Sequence, residues 1–298
     1  MYDVTQLRTL REFAVRGTLQ ETAQSLGYTS SAVSQQLAAL ARDAGTPLTR
    51  RVGRRLVLTS AGAALAHGAE EVLAALERAR SDVAATLGSP HGTVRLAIFQ
   101  SAALALVPRT LTLVGEAAPE VRVEITQAEP AQALEDTWAR QYDLVVAEEY
   151  PHHSAPHHAE LVRETLVSDE ISLASCADSP VRSLADAADL AWVMEPQGAA
   201  SRHFAEQACR VAGFEPDVRF ETADLQSHLA LVTAGHAVAL MPGLMTGTAP
   251  GSVSLAGLHA PAHRTVFAAL RGSSRQDPAV TVVLEALRRG ARDLRAGT

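Results

Sequence analysis

The spacing of apolar residues changes its period near residue 90, and this change constrains the fold more than any other feature of the chain. Before that point, apolar residues recur every three or four positions, which is the period of amphipathic helices. After it, short apolar runs alternate with helix-period segments, as in a largely parallel sheet with helices on its faces. The chain of 298 residues is therefore expected to hold two domains, joined near a short linker at residues 89–92.

The first domain is expected to contain three helices, at residues 5–16, 19–26 and about 30–44, each followed by a glycine that stops it. The outer side of the third helix, at its N-terminal half, is small, polar and uncharged: Thr29, Ser30, Ser31, Ser34, Gln35 and Gln36. Side chains of this kind suit a helix that contacts base edges in the major groove. Taken alone, a solvated helix face is the plainer explanation, but a short helix, a turn and a longer helix in this order favour the DNA-binding one.

The next segment predicts a hairpin whose tip is basic. Residues 47–58 form two short strands around a turn at Gly53, and four arginines lie at that turn: Arg50, Arg51, Arg54 and Arg55. Such a hairpin suits the phosphate backbone or the minor groove, whereas a solvated charged turn is the alternative. Residues 1–60 hold eight arginines against four acidic residues, although the whole chain has a net charge of −7. A basic head on an acidic body is expected when only one end binds double-stranded DNA.

A long helix follows, to about residue 87, with a heptad seam of apolar residues: Leu65, Ala69, Val72, Leu76, Ala79 and Val83. A seam of this length predicts a partner helix, and a second copy of the chain is the expected partner. Packing against its own domain is the alternative.

Residues 17–62 resemble the DNA-binding region of the LysR-type transcriptional regulators. The resemblance rests on positions that match in fixed order: Ala23, Leu26, the run at residues 31–35, Leu37, Leu40, Pro47, Leu48, Arg51, Gly53, Arg54, Leu58, Thr59, Ala61 and Gly62. Residues 231–242 resemble a recurrent segment of the effector domain of that family. Three residues depart from the usual pattern: Ala41, Thr49 and Ala237.

The resemblance implies the following organisation: a winged helix-turn-helix domain at residues 1–59, a dimerising linker helix at 60–88 and an effector-binding domain at 89–298. It implies an α/β fold for the last of these, with two lobes like those of periplasmic binding proteins. Lobe I would comprise about 91–161 and 268–298, and lobe II about 162–267. It also implies a small-molecule effector, a homotetramer built from two dimers, and contact with RNA polymerase if the protein is an activator.

In the second domain, strands are expected at residues 93–99, 121–127, 142–147, 166–172, 191–194, 218–221, 237–241 and 264–270. Helices are expected at residues 107–117, 131–140, 201–212, 224–234 and 277–294.

Ligands of open α/β sheets bind beyond the carboxyl ends of the strands. The residues at those ends are the candidates for binding an effector: Gln100, Ser101, Ala102, Glu129, Glu148, Gln197, Gly198, Ser201, Thr222, Met241 and Pro242. Helix N-termini with hydroxyl and amide groups suit a carboxylate, and Glu129 or Glu148 could face an amino group. An amino acid or organic acid is the suggested effector class, while solvent-facing loop carboxylates are the plainer explanation.

Several features of the sequence argue against other classes of protein, such as membrane proteins, secreted proteins and enzymes. No apolar run approaches the length of a membrane span, and the charged N-terminus is unlike a secretory signal, so a cytoplasmic protein is expected. Cys176 and Cys209 are expected to be packed thiols and not a redox pair. The histidines at 152–153 and 157–158 are attributed to a surface loop in preference to a metal site. No catalytic or cofactor motif is present, so neither an enzyme nor a cofactor is expected. A small-molecule receptor without a role in transcription, or an enzyme with a DNA-binding head, are the competing classes.

Overall fold

The computed structural model describes residues 1–178, 181–246 and 251–296. The backbone divides into two units. One holds Met1–Ser89 with the short segments Ala139–Gln141 and Ser273–Pro278, and the other holds the remaining described residues. Each unit is built around its own apolar core.

The first unit begins with the elements α1 (Val4–Arg16), α2 (Leu19–Leu26), α3 (Ser30–Ala44), β1 (Thr49–Val52), β2 (Arg55–Leu58) and α4 (Ser60–Ala85). The carboxylate of Asp3 starts α1 by accepting hydrogen bonds from the backbone N–H groups of Thr5 and Gln6, at 2.8 and 3.1 Å. The apolar sides of these helices meet in one core that includes Leu10, Phe13, Val33, Leu40 and Leu48.

A close approach fixes the start of α4 against the hairpin. A Cβ placed on Gly62 would lie 1.9 Å from the backbone oxygen of Leu48, so no larger residue fits without movement. The backbone N–H of Thr59 donates to the same oxygen at 3.0 Å. Farther along α4, Leu73 is buried, whereas Val83 is 62% exposed. The helix thus packs on its own domain at its N-terminal half and presents the rest of the seam to solvent.

The second unit contains β3 (Gly92–Ile98), α5 (Gln100–Ala117), β4 (Val121–Gln127), α6 (Pro130–Trp138), β5 (Leu144–Glu149), β6 (Leu161–Cys176), β7 (Ala191–Met194), α7 (Ala200–Val211), β8 (Asp217–Glu221), α8 (Leu225–Thr233), β9 (Ala239–Pro242), α9 (Gly243–Thr246), β10 (Val253–Arg271) and α10 (Pro278–Ala296). One mixed sheet has the strand order β4-β3-β5-β10-β6-β9, and β7 pairs in parallel with β8. Trp192 in β7 also bridges to Val238, just before β9.

This unit has two lobes, each with a sheet covered on both faces. In lobe I, α5 and α10 cover one face and α6 the other. In lobe II, separate apolar clusters surround Met241 and Trp192 on the two sides of the strands. The predicted α/β class with a two-lobed body and a winged helix-turn-helix head is confirmed.

Two strands are much longer than the sequence predicted. The runs expected at residues 166–172 and 264–270 lie inside β6 and β10, which pair with each other in antiparallel register from Leu161↔Arg271 to Cys176↔Val253. The expected lobe boundaries near residues 161 and 267 therefore fall within continuous strands. Charged positions such as Arg163 and Glu164 hid the start of β6, because they interrupt the apolar pattern; they form ion pairs with Glu149 and Arg288.

The helix expected at residues 107–117 was also placed too late. It begins at Gln100, and Pro108 lies inside it. Proline lacks the N–H that would bond to the carbonyl of Leu104, but both residues are exposed, so solvent can satisfy that group. Among the described residues, no helix combines the length and the apolar character needed to cross a membrane.

Candidate functional site

The third helix of the head presents a polar face because its other face is anchored. Val33, Leu37 and Leu40 are buried in the core of the head. The hydroxyl oxygen of Thr29 accepts a hydrogen bond from the backbone N–H of Ala32 at 3.2 Å, which caps the helix. The residues on the outer face are exposed, namely Ser30, Ser31, Ser34 and Gln35. Their hydroxyl and amide groups are available to a partner outside the chain.

Gln36 differs from its neighbour Gln35. It is only half-exposed, and its side-chain carbonyl oxygen accepts a hydrogen bond from the hydroxyl of Thr9 on α1. Gln36 is therefore held against the first helix, with one of its polar groups already used.

The hairpin places its arginines beside that face. Val52 pairs with Arg55, and Gly53 takes a positive φ of 59° in the turn between them. Arg50, Arg51, Arg54 and Arg55 are all exposed, and none forms an ion pair with another described residue. Three of them line one groove together with residues of α3, namely Arg51, Arg54 and Arg55 beside Ser34 and Arg42. Cationic groups and uncharged polar groups thus share one surface, which matches the chemistry of phosphates next to base edges.

The second unit contains a cleft between its two lobes, within the described residues. Six of the predicted effector residues line it: Gln100, Ser101, Glu129, Glu148, Ser201 and Pro242. The other five are absent from its lining: Ala102, Gln197, Gly198, Thr222 and Met241. Ala102 and Met241 are buried in apolar clusters instead, since they occupy the inward positions of α5 and β9.

The floor of the cleft is a buried guanidinium group. Arg264 is 1% exposed, and its Nε donates to Asp169 at 2.7 Å while a terminal nitrogen donates to Glu148 at 2.5 Å. The other terminal nitrogen donates to the hydroxyl of Ser101 at 2.8 Å. Burial raises the pKa of Glu148, although the charge of Arg264 opposes this. All three nitrogen atoms of this guanidinium group thus donate to other side chains of the chain.

A second carboxylate, Glu195, follows β7 and lines the same cleft. It accepts a hydrogen bond from the hydroxyl of Ser201. Burial raises the pKa of Glu195 to about 7, against the opposing effect of that hydrogen bond. The negative charges of Glu148 and Glu129 raise it further.

Gln100 closes one end of the cleft by bonding from lobe I to lobe II. Its side-chain nitrogen donates to the carboxylate of Asp224 at 2.7 Å, and its side-chain oxygen accepts from the backbone N–H of Leu225 at 2.8 Å. Next to these residues, the Nε2 atom of His228 lies 2.8 Å from the carbonyl oxygen of Thr222. Burial lowers the pKa of His228, which favours the neutral ring.

Sequence reasoning missed Arg264, Glu195 and His228. Glu195 could have been found, because it directly follows a predicted strand, as Glu148 does. Arg264 lies within a strand and His228 within a helix, so only the tertiary structure brings them to the cleft.

The remaining polar clusters of the sequence do not assemble into a site. His158 stacks on Trp138 at 4.9 Å, and His153 contacts the ring of His203. Within the described part of the chain, no three histidine, cysteine, aspartate or glutamate side chains come together as metal ligands would. Cys176 and Cys209 are both free thiols, and burial raises the pKa of Cys209 to about 12.

A basic winged helix-turn-helix and a separate two-lobed α/β unit with a polar cleft define the class of ligand-responsive transcriptional regulators. Two family models match the chain. Residues 4–63 match the bacterial regulatory helix-turn-helix proteins of the lysR family, and residues 87–292 match the LysR substrate binding domain. The chain belongs to the LysR family and is a DNA-binding transcriptional regulator with an effector-binding domain. This membership decides against a receptor without a role in transcription.

Known proteins agree with this assignment. The chain is 27% identical to the transcriptional dual regulator GltC of Bacillus subtilis, over 80% of each protein. It is 26% identical to the malonate utilization transcriptional regulator of Klebsiella pneumoniae, over 82% of each. Among solved structures, a full-length OxyR variant from Pseudomonas aeruginosa has a TM-score of 0.69 at 18% identity, covering 97% of this chain and 95% of that one. The fold is thus shared along nearly the whole chain.

Proposed function

We propose that α3 enters the major groove of double-stranded DNA and that the hairpin arginines bind the adjacent backbone or minor groove. The observation that supports this most directly is the shared surface of Ser34, Arg51 and Arg54, where uncharged polar groups lie beside guanidinium groups without internal partners. The serines and Gln35 would contact base edges, and Arg50 and Arg55 would add to the phosphate contacts. Thr29 caps α3 and would position its first turn.

The exposed part of the seam on α4 supports a homodimer. Val72, Leu76 and Val83 are between 42% and 62% exposed, and a second copy of the helix would bury them. A tetramer formed from two such dimers, and contact with RNA polymerase when the protein activates, complete the proposed assembly. A bacterial DNA-binding regulator of this family would act in the cytoplasm.

The cleft of the second unit is proposed as the effector site. Its lining combines charged and hydroxyl groups with aromatic rings, which is the composition expected of a small-molecule site. An effector bound there would favour one arrangement of the DNA-bound protomers over another. The size of this shift is limited by the difference between the effector's affinities for the two arrangements. Because the chain belongs to a family of transcriptional regulators, the cleft is proposed to bind and not to catalyse.

The base-contacting face is tested by footprinting and gel shift on the DNA upstream of the chain's own gene. Gln35→Ala should alter the preferred sequence at one position, at a cost of about 1–3 kcal/mol with the cognate base. Gln36→Ala should have a smaller effect because Thr9 already holds that side chain. Gln207→Ala, an exposed glutamine of α7, is the matched control. An unchanged footprint and affinity in a variant that lacks both Gln35 and Gln36 would refute the assigned face.

A further inference from the structure

The cations of the cleft are already neutralised. Arg264 bonds to Glu148 and Asp169, as described above. The second cation, Arg202, is 7% exposed, and its Nε donates to Glu206 at 2.5 Å. A terminal nitrogen of Arg202 also lies 3.4 Å from the carboxylate of Glu221. Each guanidinium group thus faces two carboxylates, and neither offers a free positive charge to an anionic ligand.

Two further carboxylates of the lining have no cation to balance them. Glu195 bonds to the hydroxyl of Ser201, and Glu129 is exposed at the rim of the cleft. Neither forms an ion pair with another described residue. When Glu195 is ionised, the lining carries an excess of negative charge, and the burial of Glu195 makes that uncompensated charge costly. A ligand that supplies a positive charge would remove that cost.

A buried acceptor atom points to the same kind of ligand. The carbonyl oxygen of Thr222 can only accept, so the Nε2 atom of His228 carries the proton. Burial lowers the pKa of His228 and favours the neutral ring, in which the Nδ1 atom is an acceptor. His228 is 3% exposed and lines the cleft, yet Nδ1 has no hydrogen-bond partner among the described residues. Such an atom requires a donor, and a ligand with N–H groups in the cleft would supply one.

Aromatic rings complete the lining. The rings of Tyr150 and Phe204 lie 5.5 Å apart between centroids, and both residues line the cleft. Phe99 also lines it and already receives the guanidinium of Arg264 over its ring, at 5.2 Å. Aromatic faces bind organic cations favourably when water is excluded.

The side-chain donor of Gln100 at the start of α5 is in use, because this side chain is bonded on both its nitrogen and its oxygen to lobe II. The hydroxyl oxygen of Ser101 accepts a hydrogen bond from Arg264. A plain carboxylate would meet Glu195 and Glu148 without a free cation to offset their repulsion.

We propose that the effector is an organic cation whose protonated amine or guanidine binds between Glu195 and His228. This inference rests on the proposed function, because it takes the cleft as the effector site. It narrows the effector class from amino or organic acids to compounds with a net positive charge, and it excludes organic acids and amino acids that lack a further amine or guanidine.

The test is titration calorimetry of the full-length protein with probes matched in size but not in charge. The cations are 1,5-diaminopentane, agmatine and L-lysine, and the matched probes without the extra positive group are glutarate and L-norleucine. At least one cation should bind, and glutarate and norleucine should not. Glu195→Gln keeps the shape and the Ser201 contact, and it should weaken the binding of that cation about 10- to 100-fold. Glu215→Gln removes an equal charge from an exposed site outside the cleft and should leave the affinity unchanged.

Three results would overturn the inference: binding of glutarate but of no cation, binding of none of these probes, or equal affinity of the wild type and Glu195→Gln for the bound cation. The proposed function is judged separately, by a gel shift on the same preparation. A protein that binds its DNA and responds to glutarate would retain the proposed function while losing the cationic effector.

Discussion

Replacing Arg51 and Arg54 with alanine should weaken DNA binding in a way that depends on salt. Both guanidinium groups are exposed, have no ion-pair partner among the described residues, and line the groove beside α3. If each neutralises one phosphate, its removal eliminates the release of the counterions condensed on that phosphate. The loss should apply to specific and non-specific DNA alike, because phosphates carry no sequence information.

The magnitude follows from the number of contacts. Each phosphate contact contributes about 0.9 to the slope of the logarithm of affinity against the logarithm of salt concentration. The double variant should therefore lower that slope by about 1.8 per protomer, or about 3.6 for a dimer with both heads bound. For a dimer, the ratio of wild-type to variant affinity for DNA should fall by a factor of about 100 when the salt concentration rises from 50 to 200 mM.

The assay is fluorescence anisotropy with a labelled duplex at several salt concentrations. A matched control, the double variant Arg182→Ala and Arg289→Ala, removes the same charge from exposed positions of the second unit and should keep the wild-type slope. If Arg51→Ala with Arg54→Ala gave the same slope as the wild type, the hairpin would not contact phosphates and its assigned role would be wrong.

Two further predictions concern stability and assembly. The folded-state pKa of Glu195, about 7, lies above its ordinary value of 4.5, so this group lowers the stability progressively as pH rises from about 4.5 to 7. The free energy of unfolding of Glu195→Gln, minus that of the wild type, should therefore be larger at pH 8 than at pH 4, by at most about 3 kcal/mol. Urea unfolding at both pH values measures it. An equal difference at the two pH values would contradict the effect of burial. Charges placed on the seam by Leu76→Glu with Val83→Glu should convert dimers to monomers in light scattering, whereas Ala75→Glu, exposed on the same helix but off the seam, should not. A double variant that stays dimeric would remove α4 from the interface.

The head was predictable because its signals are local. The predicted bounds of the second and third helices, 19–26 and 30–44, match the structure. Glycines at positions 27 and 45 adopt the left-handed conformation that ends these helices, and Thr18 and Thr29 cap their starts. Each of these signals lies within a few residues of the boundary it sets. Arginine at the hairpin turn is equally visible, because nothing elsewhere in the chain is needed to expose it.

The cleft was only partly predictable, because its contacts join distant residues. Arg264 meets Asp169 and Ser101, which lie 95 and 163 positions earlier in the chain. No periodic pattern specifies such partners. The rule that selects the carboxyl ends of strands identified Glu148 and Ser201 as candidates. It could not indicate that Glu148 forms an ion pair with Arg264. It also could not indicate that Glu195 is left without a cation.

The pairing of β6 with β10 has a mechanical consequence for the second unit. The lobes are connected by a double-stranded ribbon hydrogen-bonded from Leu161↔Arg271 to Cys176↔Val253, which resists stretching far more than a flexible tether would. Widening the cleft therefore requires the ribbon to twist or bend. The ladder is irregular between Gly257 and Ala262 and between Val266 and Phe267, and deformation should concentrate at these interruptions. The irregularity at Val266 lies two residues from Arg264. A twist of one lobe against the other should therefore first displace Arg264 and the carboxylates bonded to it.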